Sequence, residues 1–197
     1  MTTSTLQDPV RKGSGLPMLA LVVALLALPF VIAAGLYFFG WHPEQTGNHG
    51  QLLNPPQPLP ASGLKTADGH PLTTADLQGK WLLLLDGTGP CATDCVQRID
   101  EMRRIQVSLN KEMGRLRRVV LSDRSGDPEF AEALRRQPDL VLATAPPQWL
   151  PGTDEIPGYR LHLIDPQGNL IMNYPVDIAA RSVRSDLERL LKFAWTG

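Results

Sequence analysis

Cys91 and Cys95 are the two cysteines of this chain, three residues apart in "DGTGPCATDC", directly after the apolar run "WLLLL". Sulfurs at this spacing can form a static staple, a reversible disulfide or a two-thiolate clamp for a soft metal ion. A disulfide between residues so near in sequence closes a very small loop, so loop entropy is a weak reason for it. Two cysteines in 197 residues also fall far short of a disulfide scaffold, which is short and cysteine-dense. The spacing leans toward chemistry.

That chemistry needs elements to hold the sulfurs. "WLLLL" (residues 81–85) reads as a short central strand buried on both faces. Gly87, Gly89 and Pro90 form a turning loop, and a helix is predicted from near Asp94 to near Gly114, with Ile99, Met102, Gln106, Leu109 and Met113 on one side. Cys91 thus falls before or at a helix N-terminus and Cys95 about one turn on. Free N–H groups and the helix dipole favour anionic sulfur there, which lowers a thiol pKa and makes a nucleophile or a soft ligand. Positions i and i+4 are also close enough for disulfide geometry. A reversible disulfide and a two-thiolate clamp both remain open. Asp86 is a candidate acid–base group for thiol exchange, although it can equally end the strand by bonding local backbone.

Residues 16–39, "LPMLALVVALLALPFVIAAGLYFF", carry no charge and are long enough to cross a bilayer. Arg11 and Lys12 precede them, and Tyr37, Phe38, Phe39 and Trp41 stand at the far end like an interfacial aromatic belt. A cleaved signal would have a shorter apolar core followed by small residues. The reading is therefore an uncleaved anchor: residues 1–15 cytoplasmic, 16–39 a transmembrane helix, and everything beyond it outside the cytoplasm. In a Gram-negative bacterium that means a single-pass protein of the inner membrane with its C-terminal domain in the periplasm, where disulfides persist.

Residues 40–62, rich in Pro, Gly, Asn and Gln, read as an extended tether, with His42 and His49 as exposed linker histidines. Residues 63–197 read as one globular domain. Asp68-Gly69 marks a hairpin turn, "RLRRVVLS" a strand, and Asp127-Pro128 a helix start. Residues 143–158 read as a proline-rich loop. "YRLHLID" and "NLIMNYP" pair around Pro166-Gln167-Gly168, and Asp177 caps a last helix with Val183, Leu187, Leu190 and Leu191 buried. The predicted order β-β-β-α-β-α-β-β-α makes an α/β sandwich. The formal net charge of −1 gives no argument for a nucleic-acid partner. The sequence contains no phosphate-binding loop, dinucleotide glycine fingerprint, zinc helix or serine nucleophile elbow.

The strand, cysteine pair, long helix and late "LIDPQGNL" hairpin resemble the thioredoxin-like fold. The cysteine spacing, anchor and tether resemble the Sco/SenC family of cytochrome c oxidase assembly proteins. In that family two cysteines and a distant histidine hold copper, and thiols exchange with disulfides while the oxidase copper site is built. The resemblance implies that Cys91 and Cys95 are the sulfur ligands, that Cu(I) is the metal, and that an oxidase subunit or another assembly factor is the partner. Two positions depart from the pattern. Val96 stands where a proline usually follows the second cysteine, and Pro157 stands where counting back from "LIDP" reaches the family's histidine. His162, in the following strand, is the remaining candidate for a third ligand; the period of two sends it to a different face from Leu161 and Leu163. Pro157 could alternatively stand in for the cis-proline of thioredoxins. Soft sulfur selects Cu(I) even without imidazole, so the reading is thiol–disulfide exchange, Cu(I) delivery, or both. The alternatives are a non-catalytic membrane-bound scaffold with a structural disulfide, and a general periplasmic thiol reductase.

Overall fold

The computed structural model describes residues 15–40, 47–87, 93–122, 128–146, 149–150 and 158–193. It divides at residue 46 into two units. The first contains helix α1, Leu16–Phe38, of 23 residues and mean hydropathy 2.8 in its most apolar window, with no residue buried. At about 1.5 Å per residue it is roughly 34 Å long, enough to span a hydrocarbon core. Pro29 lies inside the helix.

The second unit is built on one sheet. Its strands are β1 (Gln51–Pro58), β2 (Leu64–Thr66), β3 (Pro71–Leu72), β4 (Trp81–Asp86), β5 (Leu116–Leu121), β6 (Val141–Thr144), β7 (Arg160–Ile164) and β8 (Asn169–Asn173). Its helices are α2 (Thr74–Leu77), α3 (Thr93–Ser108), α4 (Pro128–Arg136) and α5 (Ala180–Phe193). The spatial order is β1-β8-β7-β4-β5-β6-β2-β3. β4, β5 and β6 run parallel; β7, β8 and β1 add antiparallel on one side, and β2 and β3 on the other.

The alternation of β4 explains the two cores. Leu83 and Leu85 pack with Ile99, Met102, Ile105, Phe130, Val183 and Leu187, so α3, α4 and α5 cover one face. Leu82 and Leu84 pack with Leu59, Leu64, Leu77 and Trp149 on the other. Every residue of "WLLLL" is buried, as expected for a strand covered on both sides. The two parallel crossovers β4–α3–β5 and β5–α4–β6 step the same way along the sheet, which brings both helices to one face.

Arg118 is a buried residue that its place in a strand hid. It is 1% exposed and faces the helices. Its Nε donates to Gln106 of α3 at 2.7 Å, its Nη2 to Asp139 at 2.8 Å, and its Nη1 to Gln137, which in turn donates to Asp100 of α3. A buried guanidinium needs such a ring of acceptors, and this one ties the cysteine helix to β5 and to the end of α4.

Several expectations are corrected. The tether expected over residues 40–62 is, from Gly47, part of the domain: Gln51–Pro58 is an edge strand paired with β8. Its three prolines and lack of apolar alternation conceal it, because edge strands tolerate both. His49 is not a loose linker residue, since it bonds Asp186. β6 lies at the edge of the expected loop and pairs with β5. Helix α3 stops earlier than Gly114: Asn110 takes φ 52°, and a 3₁₀ segment follows over Asn110–Arg115. Met113 consequently leaves the buried stripe and is 51% exposed, while Met102 is fully buried. The last helix starts at Ala180, three residues after Asp177. The hairpin at Gly69 and the β7–β8 turn at Gly168 stand as read, both glycines having positive φ.

Candidate functional site

β4 ends at Asp86, and Gly87 leads toward α3. Gly87 is held against Tyr159: a side-chain carbon added at Gly87 would lie 2.7 Å from the Tyr159 ring and 2.9 Å from its Cα. Only glycine lets the two segments approach so closely. The register explains the meeting, because Asp86 pairs with Arg160 across β4 and β7. Burial pushes the Asp86 carboxyl above its ordinary pKa, partly offset by the N–H of Gly87. That backbone bond agrees with the strand-ending role.

Cys95 lies in the first turn of α3, 1% exposed, in the same core as Leu83, Leu85, Leu161 and Leu163. Its sulfur is not free. Asp94, beside it, is an acid of the helix's first turn. Cys91 lies outside the described residues, as does Pro157. Val96 and Tyr159 are half-buried against the Cys95 core. One turn beyond Cys95, Arg98 donates to the carbonyls of Val176 and Ile178 and pairs with Glu101 at 2.8 Å. It thereby ties the segment between β8 and α5 to the start of the cysteine helix. Sequence reading missed Arg98 and Tyr159 because neither belongs to a motif. Their roles come from what the sheet brings beside them.

His162 is not brought to this site. It pairs with Leu84 in the β4–β7 ladder, and Leu84 belongs to the core on the opposite face from Cys95. The period of two correctly separated it from Leu161 and Leu163, and that separation puts the sheet between it and the cysteine helix. The third-ligand reading of His162 is therefore withdrawn. The ring is 2% exposed, with Nδ1 2.7 Å from Asn173 Oδ1 and Nε2 buried without a hydrogen-bond partner among the described residues. Burial lowers its pKa to about 4, the Asn173 bond opposing and the nearby Arg160 charge assisting. His70, in the hairpin turn, is exposed, and its carbonyl accepts from Thr66.

Among the described residues no three His, Cys, Asp or Glu side chains converge to hold a metal ion. A surface hollow lined by Lys111, Glu112, Arg115, Glu188 and Lys192 lies beyond the C-terminal end of α3, away from Cys95.

A central strand followed in the chain by a long helix with a cysteine in its first turn fits a thioredoxin-like domain. The chain belongs to the family described as the transmembrane-like, thioredoxin-like C-terminal domain, whose model matches residues 81–194. Three solved structures show the same fold. Apo Sco1 from Thermus thermophilus is 20% identical, with a TM-score of 0.57 over 76% of this chain and 99% of that one. Yeast Sco1 with copper bound is 18% identical, with a TM-score of 0.54 over 71% and 91%. BsSco, a member of the Sco family of cytochrome c oxidase assembly proteins in which a disulfide switch was identified, is 18% identical, with a TM-score of 0.52 over 73% and 99%. No curated protein matches the chain.

Proposed function

We propose that this protein is a membrane-anchored thioredoxin-like factor that assists cytochrome c oxidase assembly through Cys91 and Cys95, by thiol–disulfide exchange, Cu(I) delivery, or both. The observation that carries the reading is the place of Cys95, in the first turn of α3 immediately beyond the central strand. Anionic sulfur is stabilised there by free backbone N–H groups and the helix dipole.

The steps follow from access. Cys95 is too buried for a client's sulfur to reach first, so Cys91 makes the first attack. Its thiolate bonds one sulfur of a client disulfide and displaces the other as thiolate. Cys95 then attacks Cys91 and releases the second client thiol. The client gains two electrons, while Cys91 and Cys95 lose two and become a disulfide. A copper site built on thiolates must be reduced before it can take metal; the same pair can pass Cu(I) to that client once an external dithiol reductant has returned Cys91 and Cys95 to thiolates. Arg11 and Lys12, before the apolar helix, support a domain on the periplasmic side of a bacterial inner membrane.

The test uses the full chain. Cys95→Ser should accumulate a mixed disulfide with an oxidase subunit, and Cys91→Ser should not. Each variant should lose Cu(I) in an anaerobic titration, and X-ray absorption of the wild type should count two sulfur neighbours. Normal oxidase assembly in cells carrying both substitutions would reject the proposal. A pair that stays oxidised below about −300 mV would favour a structural disulfide instead.

A further inference from the structure

The first residues of the domain are clasped by a carboxylate that the cysteine chemistry does not use. Asp186 of α5 has a side chain 0% exposed. The backbone N–H groups of His49 and Gly50 donate to it at 3.0 and 3.2 Å, and His49 Nδ1 lies 3.0 Å from Oδ1. One turn on, Arg189 donates to the carbonyl of Gly47 and to Asn48 Oδ1. Gly50 is buried on Met172 and Tyr174; an added side-chain carbon would lie 2.6 Å from Met172. Burial and the Asp186 charge push the Tyr174 hydroxyl pKa up, so the phenol stays neutral beside the carboxylate. A buried carboxylate that accepts backbone N–H groups holds the chain more firmly than neutral pairs do.

Beyond this latch the hold is weak. β1 is an edge strand in which only Leu53 and Gln57 are even half-buried. Three of its eight residues are prolines without an N–H, and its register with β8 shifts between Leu52 and Gln57. Apolar burial resumes at Leu59, whose N–H donates to the Gly168 carbonyl at 3.0 Å.

We infer that residues 47–58 form a releasable strap, latched at one end by Asp186, which sets the length of chain between the apolar helix and the domain. Release adds residues 47–58 to the connection, about 40 Å at full extension. Release uncovers little of the strap's own apolar surface, because its apolar side chains are mostly solvated. Such exposed, weakly paired edges are the low-stability units of a fold. The device goes beyond the proposed cysteine chemistry and does not depend on it.

Hydrogen exchange on the full chain in lipid nanodiscs tests this. Asp186→Ala should accelerate exchange in residues 47–58 by about tenfold or more, from the loss of several charge-assisted bonds, while β4, β5 and β7 keep their wild-type rates. Gly50→Ala should do the same by steric ejection, and it decides the matter if Asp186→Ala does not fold. Unchanged exchange of the strap, or equal acceleration across the sheet, would overturn the inference. Both variants retain Cys91 and Cys95, so this result and that of the cysteine substitutions are read separately.

Discussion

Cys95 and His162 lie on opposite faces of the same sheet: Cys95 packs with Leu161 and Leu163, and His162 pairs across the ladder with Leu84 of the other core. This relationship limits what the site can hold, and it separates the chain from a two-cysteine, one-histidine copper centre built on His162.

The copper consequence is direct. His162→Asn should leave Cu(I) affinity within about twofold of wild type, because a single weak or absent contact is worth little on the scale of 1.4 kcal/mol per tenfold. A loss of tenfold or more, with a nitrogen neighbour disappearing from the absorption spectrum, would show that the ring reaches the sulfurs after all.

His162 should instead register in stability against pH. In the unfolded chain its pKa is near 6.5; in the fold, burial brings it to about 4. Between those values the unfolded state binds more protons, so stability is full above pH 6.5 and falls as pH drops toward 4. The contribution across the window is about 3 kcal/mol. Urea midpoints at pH 7.5 and 4.5 should differ less in His162→Gln than in wild type, and an equal difference would assign the acid sensitivity to another group.

Gly87→Ala tests the contact that starts the cysteine loop. The new methyl would meet the Tyr159 ring and also its Cα, and a rotamer change cannot move a backbone atom. Relief requires one of the two segments to shift, at a cost of about 1–3 kcal/mol. The reduction potential of the cysteine pair should move with it. Wild-type stability and potential in the variant would show that the approach is not a constraint.

What was legible in the sequence is what local periodicity encodes. "WLLLL" reads as a strand buried on both faces, the stripe through Ile99 and Met102 as the inner side of a helix, and the turn at Gly168 holds a residue at ease with positive φ. Those elements place Cys95 in a helix's first turn, and residues 16–38 announce their helix by apolar length alone. The tertiary structure decided what depends on residues far apart in the chain. β1 has no apolar alternation because its reason to be a strand is β8, more than 100 residues later. Asp186 looks like any surface acid of α5 until His49 and Gly50 arrive from 136 or 137 residues earlier. Arg118 reads as a solvated charge until Gln106 of α3 and Gln137, just after α4, close over it. Alternation along β7 put His162 opposite its neighbours, but only the covering of each face determined that Cys95 belongs to the other side. The physical reason is common to all four: a side chain's direction is local, whereas its burial and partners are set by packing between distant segments.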